Sequence, residues 1–230
     1  MDIFSIERFV KCFPKILEKF PITLIIVAAS IFFGVIIGLG MAIARIRKVI
    51  IINGLSRILI SYVRGTPVIV QLFVVYYGIP VFINAIFHID INSWNKMIFV
   101  LITYSLNQGG FIAEHFRAAI QAVDTGQTEA GYSVGLNEKQ TFFRIIAPQA
   151  FVIALPGLST LVIGLFHGTA LAYMVGIMDM MGKVRSISAI TYHSLEGYVS
   201  VTIIFTVVSI LLEQAFKLLS SRLGSHSVND

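Results

Sequence analysis

Four stretches of this 230-residue chain carry no charged side chain, and they decide what it can fold into. Ile22–Ala44 and Gly65–Phe87 run 23 residues each, Met97–Ala113 runs 17 and Ile145–Met178 runs 34. About 20 apolar residues in a helix cross a bilayer, where backbone N–H and C=O groups find no water and must pair within their own segment. The chain therefore predicts an all-α integral membrane protein. Its 13% charged residues, against about 25% in a soluble domain, fit that class. Seventeen Lys plus Arg against twelve Asp plus Glu give a net charge of +5. In a membrane protein that excess marks cytoplasmic loops and contact with anionic membrane lipid. The basic residues are scattered, with no groove or motif, so no nucleic-acid partner is expected.

The chain divides into an amphipathic N-terminal segment, 1–21, a membrane domain, 22–219, and a cytoplasmic tail, 220–230. In the first segment Phe4, Ile6, Phe9, Val10, Phe13, Ile16, Leu17 and Phe20 recur at helical spacing opposite Arg8, Lys11, Lys15 and Lys19. Such a helix lies flat on a membrane, here interrupted by Pro14 and Pro21. No cleavable signal peptide is expected, and Cys12, the one cysteine, reads as an apolar filler. Gly34, Gly38 and Ala42 sit four apart, a ridge of small residues that lets a second helix approach closely. A short basic loop with Arg45, Arg47, Lys48 and Arg57 follows. The 34-residue run is too long for one crossing and predicts a span over 149–167, then a broken or packed segment. The last span starts at Tyr198 and runs past Glu213, with Lys217 snorkelling to the interface. Five crossings result, so the termini lie on opposite sides. With 124–148 inside, the inner segments hold ten basic residues (Arg45, Arg47, Lys48, Arg57, Arg64, Arg117, Lys139, Arg144, Lys217, Arg222) and the outer ones seven (Arg8, Lys11, Lys15, Lys19, Lys96, Lys183, Arg185). That bias favours N-terminus out and C-terminus in.

The one long polar insert, 124–148, predicts two short helices. Asp124 with Gln127 and Asn137 with Gln140 are spaced as capping boxes, and Gly135 between them suits a left-handed helix end. No nucleotide site accompanies it: the nearest approach to G-x4-G-K-[ST] is GIMDMMGKV, 176–184, with wrong spacing and no hydroxyl for Mg²⁺. The five histidines, 88, 115, 167, 193 and 226, show no metal spacing.

Residues 129–148, EAGYSVGLNEKQTFFRIIAP, resemble the signature loop E-A-A-x3-G-x9-I-x-L-P of ABC importer permeases. Glu129, Ala130, Gly135, Ile145 and Pro148 fall on the pattern; Gly131 replaces the second Ala and Ala147 the Leu. RGTPVIVQLFVVYYGIP, 64–80, and SLNQGGFIAEHFRAAIQAVDTGQTEAGYSVG, 105–135, resemble the polar amino acid branch of that family, and the likeness extends from Thr23 to Leu219. The resemblance implies a five-span type I ABC importer permease in the bacterial cell membrane, not itself an enzyme. Its implied partners are an ATPase subunit dimer that binds ATP and Mg²⁺, a second permease chain, an external solute-binding protein and an amino-acid substrate. Glu129, Ala130, Gly131, Gly135, Leu136 and Pro148 would couple to the ATPase.

Polar residues inside spans are costly, which singles out Gln71, Tyr104, Asn107, Gln108, Glu114, His167 and Thr169 as candidates for substrate contact. Asn107 and Gln108 offer amides beside bare backbone at Gly109 and Gly110, or an interhelical hydrogen bond instead. Glu114 stands with His115 and Arg117, as in a local ion pair. Where related permeases read K-D-T-S-L, this chain reads HGTAL, 167–171. Losing that acidic residue argues for a neutral or zwitterionic substrate over a basic one. The segment 175–199 resembles the cystine branch, so the expected substrate is a neutral or zwitterionic polar amino acid such as L-cystine, with another polar or basic amino acid the alternative. An ion-coupled transporter would need paired acidic residues inside spans. A membrane hydrolase would need a complete G-x-S-x-G, and Leu161 fills its last position.

Overall fold

The computed structural model describes residues 4–46 and 50–226, helical almost throughout. In chain order the helices are α1 (Ile6–Leu17), α2 (Phe20–Ile46), α3 (Ile50–Gly65), α4 (Val68–Phe73), α5 (Ile79–Phe87), α6 (Lys96–Ala122), α7 (Thr125–Ser133), α8 (Glu138–Thr141), α9 (Ala147–Gly168), α10 (Met180–Thr191) and α11 (Leu195–His226). Single π-helical turns, Val74–Gly78 and Phe142–Ile146, join α4 to α5 and α8 to α9. A 3₁₀ segment, Thr169–Val175, extends α9. Arg47 and Lys48 of the expected basic loop, and 227–230 of the expected tail, lie outside the described residues.

Among the described residues four segments are long and apolar enough to cross a membrane: Ile6–Ile46, Val68–Phe87, Glu138–Val175 and Leu195–Leu223. The expected third span falls on α6, which has the length, 27 residues, but not the apolar composition. The reason is its position. α6 lies at the centre of the bundle against α2, α3, α4 and α9, so its polar and small residues meet protein instead of lipid. It also runs past Glu114, the expected end, because Arg45 on α2 and Arg117 on α6 both bond that carboxylate.

Lipid tails are as apolar as leucine, so burying apolar area gains little within a bilayer, and close packing has to hold the helices together. The Gly34–Gly38–Ala42 ridge does this. A Cβ on Gly34 would lie 2.8 Å from the Gln108 Cβ, and one on Gly38 2.6 Å from Ile112. Gly109 of α6 answers with the same closeness to Ile37. Two cores flank this seam. One, at the end that carries α7 and α8, gathers Ala42, Ile112, Phe116, Ile146, Ala150 and Ala154. The other, towards the opposite end, gathers Ile26, Leu72, Val100, Leu165, Ala172 and Val175.

Two expectations need correction. Pro14 does not interrupt the N-terminal helix but lies inside α1, and Pro21 occupies the first turn of α2, where missing N–H groups cost least. The segment between the first two spans is not a short loop: from Ile50 it is the 16-residue helix α3, packed on α6. α1 itself buries Cys12 and Ile16 against α10 and α11, is tied by Arg8 Nε to Glu196 at 2.7 Å, and leaves Ile6 and Val10 exposed.

Candidate functional site: coupling loop and intramembrane polar face

The polar insert forms a rigid hairpin. The Asp124 carboxylate accepts the Gly126 N–H at 2.7 Å and opens α7. No box forms there, since the Gln127 side-chain oxygen accepts instead from Gln149 Nε2 at 3.2 Å, tying α7 to α9. Asn137 and Gln140 do form the reciprocal box at 3.0 Å each way. α7 ends with Gly135 at φ +81°, and the Leu136 N–H reaches back to the Gly131 C=O while the Gly135 N–H reaches Tyr132, a complete Schellman closure. Gly131 packs directly on Thr141: a Cβ there would lie 2.6 Å from the Thr141 methyl. Glu129, Ala130, Tyr132 and Val134 are exposed, Tyr132 beside a cavity of about 370 Å³ that Ile43 of α2 and Ile120 of α6 also line. Through the π-helical turn α8 continues into α9 with Pro148 in its first turn, so hairpin and span form one continuous helical run.

The polar candidates of α4 and α6 form a buried chain. Asn107 Nδ2 donates to Gln71 Oε1 at 2.9 Å, and Gln108 Nε2 to Asn107 Oδ1 at 3.4 Å. Gln71 Nε2 donates to the Val63 and Thr66 carbonyls at 3.2 and 3.0 Å. Gln108 Oε1 is buried without a partner. Tyr104 donates to the Gly168 carbonyl at 2.8 Å, and Thr169 bonds back to the Phe166 carbonyl at 2.7 Å, fully buried. Gln71, Tyr104, Asn107, Gln108 and Thr169 are thus all buried inside the bundle, the three amides bonded in a chain and Tyr104 bonded separately to the end of α9. Glu114 sits apart from them with its two arginines, and His167 faces outward.

The structure adds a polar surface between α9 and α11 that sequence reasoning missed. His167 Nε2 meets Ser209 Oγ at 2.8 Å, and Glu213 pairs with Lys217 at 2.8 Å. Two adjoining cavities of about 580 and 520 Å³ share Ile163 and Glu213 and run along this face. The signal lay in α11: Thr202, Thr206, Ser209, Glu213, Lys217 and Ser220 recur at steps of three and four, one helical stripe.

Beyond the spans, Asp179 caps α10 by accepting the Gly182 N–H at 2.8 Å. Its other oxygen is buried without a partner. Burial pushes this carboxyl up to about 6, against the backbone N–H groups that favour its ionised form.

Residues 22–225 match the family described as binding-protein-dependent transport system inner membrane component. The L-cystine transport system permease protein TcyL of Bacillus subtilis (strain 168) is 39% identical over 91% of this chain and 87% of its own length. The probable amino-acid permease protein YxeN of the same organism is 34% identical over 92% of each. The fold matches a chain of an amino acid ABC transporter crystallised with histidines at a TM-score of 0.84 and 27% identity, covering 95% of this chain and 99% of that one.

Proposed function

The chain belongs to the family of binding-protein-dependent transport system inner membrane components, and from that premise we propose that it is the permease subunit of an ATP-driven amino-acid importer. It forms one half of a translocation path with a second permease chain, identical or paralogous. A solute-binding protein delivers substrate outside, and a separate ATPase dimer supplies the power stroke. The observation that carries this reading is the α7–α8 hairpin. It keeps the signature spacing, is locked by caps at both ends, exposes Glu129, Ala130, Tyr132 and Val134, and is continuous with α9. A short rigid helix seated in a moving groove turns its attached span as a lever.

The substrate is a neutral or zwitterionic amino acid, L-cystine first among them. HGTAL at 167–171 lacks the acidic residue that would balance a cationic side chain, and the L-cystine permease TcyL is 39% identical. The chain lies in the cell membrane with its N-terminus outside and the hairpin in the cytosol.

The test is reconstitution with its cognate ATPase and binding protein. ATP-dependent, vanadate-sensitive accumulation of L-cystine is the expected result. Accumulation of another amino acid would overturn the substrate assignment alone. Uptake that needs no ATPase would overturn the whole reading.

A further inference from the structure

Helix α1 carries three different faces. Cys12 and Ile16 are buried in the core shared with α10 and α11. Ile6, Val10 and Leu17 form a second face, 74%, 61% and 43% exposed, and exposed Leu24 and Ile25 follow on α2. Arg8, Lys11 and Lys15 recur at steps of three and four on the third. This cationic face borders a cavity of about 200 Å³ that Thr191, His193 and Glu196, at the α10–α11 junction, also line. The charges around it do not cancel. Glu196 is 4% exposed and already accepts from Arg8 Nε at 2.7 Å and from the Ser5 N–H at 2.9 Å. Lys11 pairs with Glu7, one turn back on exposed surface, a contact of little strength. Lys15 has no ion-pair partner among the described residues. Three cations against one carboxylate leave two positive charges unmatched, with His193 neutral.

Depth decides which anion suits them. The apolar stretch that opens at Leu195 is 29 residues long. That is about 44 Å of helix, the thickness of a bilayer with its headgroups. Glu196, in the first turn, therefore sits at headgroup level, and Ser5 and Arg8 are bonded to it there. Tyr192, 92% exposed just before this turn, stands where interfacial aromatics do.

We propose that the crevice between α1 and the α10–α11 junction binds the phosphate of an anionic phospholipid, with Lys11 and Lys15 as its charge partners and the acyl chains along Ile6, Val10 and Leu17. Phosphate oxygens accept charge-assisted hydrogen bonds, and basic pockets at a membrane surface select anionic headgroups. The unmatched positive charges favour a lipid of net negative charge over a zwitterionic one, whose own ammonium would add a further cation. The apolar face of the same helix supplies what a soluble anion cannot use: acyl chains held there keep the phosphate beside the lysines. The site rests on α1 and its neighbours alone and stands whichever substrate the chain carries.

The experiment uses the full-length chain, purified with its partner subunits and stripped of lipid in a neutral detergent. Dioleoylphosphatidylglycerol, dioleoylphosphatidylcholine and glycerol 3-phosphate are titrated in turn, with apparent Tm and, by native mass spectrometry, retained lipid as readouts. Phosphatidylglycerol should raise the Tm and stay bound. The other two, at the same concentration, should do neither. Lys11→Gln with Lys15→Gln should weaken phosphatidylglycerol retention about tenfold or more, the loss expected for one charged hydrogen bond. Lys19→Gln, which does not line the cavity, should leave retention unchanged. Both lysines are exposed, so these substitutions spare the core; size-exclusion chromatography checks assembly, and Lys15→Gln alone serves if the pair does not assemble. Equal effects of the two lipids would reduce the site to ordinary apolar solvation and overturn it. An equal effect of glycerol 3-phosphate would make it a site for a soluble anion. Full retention by the assembled double variant would place the lipid elsewhere. Weakened capture of the solute-binding protein by that variant, with retention intact, would assign the stripe to an acidic protein surface.

Discussion

At the scale of single residues, one contact and one buried acid make the sharpest claims. His115 on α6 lies directly over Gly157 on α9, where an added Cβ would come 1.4 Å from its Nε2. No rotamer adjustment of a few tenths of an ångström relieves such an overlap, so Gly157→Ala has to move the ring or part the helices. We expect a loss of about 1–3 kcal/mol, read as a lower apparent Tm in detergent. Gly157→Ala with His115→Ala should recover most of it; if the double variant melts no higher than the single, the contact is not the cause. Asp179 gives a pH signature. Its folded value of about 6 stands above the ordinary 3.8, so the folded chain holds the proton more tightly than the unfolded one. The acid's stabilising contribution is therefore complete below pH ~4 and is lost as pH rises through 6. Asparagine keeps an acceptor for the Gly182 N–H but cannot ionise. Asp179→Asn should raise the apparent Tm above pH 6, by at most about 3 kcal/mol of stability, and flatten the profile between pH 4 and 6. Superimposable pH profiles for the two proteins would show that Asp179 does not titrate in this range. Neither the His115 contact nor the raised acid was legible in the sequence, since each depends on which distant residue a fold brings alongside.

At the scale of elements, what could be read in advance was whatever is local or periodic. The Asn137 box, the left-handed Gly135 and the ridge on α2 are set by residues three or four apart, and the structure realises each. The expected Asp124–Gln127 box failed because Gln127 found a partner 22 residues away on α9. α6 falls short of the apolar composition of a span for a related reason: its neighbours are protein, so its composition reports helix packing instead of lipid. The α11 stripe was legible as a periodicity, yet the hydropathy of its apolar residues masked it. Gly131, where the signature carries alanine, now has an account. Thr141 fills the space that a Cβ would need, at 2.6 Å from its methyl and 2.9 Å from its hydroxyl. Gly131→Ala should therefore spread α7 from α8 and weaken ATP-coupled uptake while the membrane helices stay folded, and adding Thr141→Ala should restore it. Full uptake by Gly131→Ala alone would mean the hairpin tolerates the spread and is not the rigid part supposed here.

At the scale of the whole molecule, the lever depends on sidedness. The hairpin can act as a lever only if it stands on the ATP side, and the basic bias of ten residues to seven is too small to fix that alone. The fold supplies two reporters at opposite ends of the bundle. Val134 is 75% exposed at the tip of the hairpin, and Tyr192 is 92% exposed at the end of α10. α9 leads away from the hairpin and the 3₁₀ segment then leads to α10, so the two positions lie on opposite sides of the membrane if the segment Glu138–Val175 crosses it. In a Cys12→Ser background, Tyr192→Cys in right-side-out vesicles should react with a membrane-impermeant maleimide, whereas Val134→Cys should react only after the vesicles are inverted or opened. Adding the ATPase should then slow the reaction at Val134→Cys and leave Tyr192→Cys untouched, because an exposed apolar side chain beside Glu129 and Ala130 is what a docking groove would cover. If Val134→Cys is labelled from outside, the hairpin cannot touch an ATPase and the lever is excluded. If it is labelled from inside but never protected, the hairpin is cytosolic without being the contact, and the power stroke must enter through another surface.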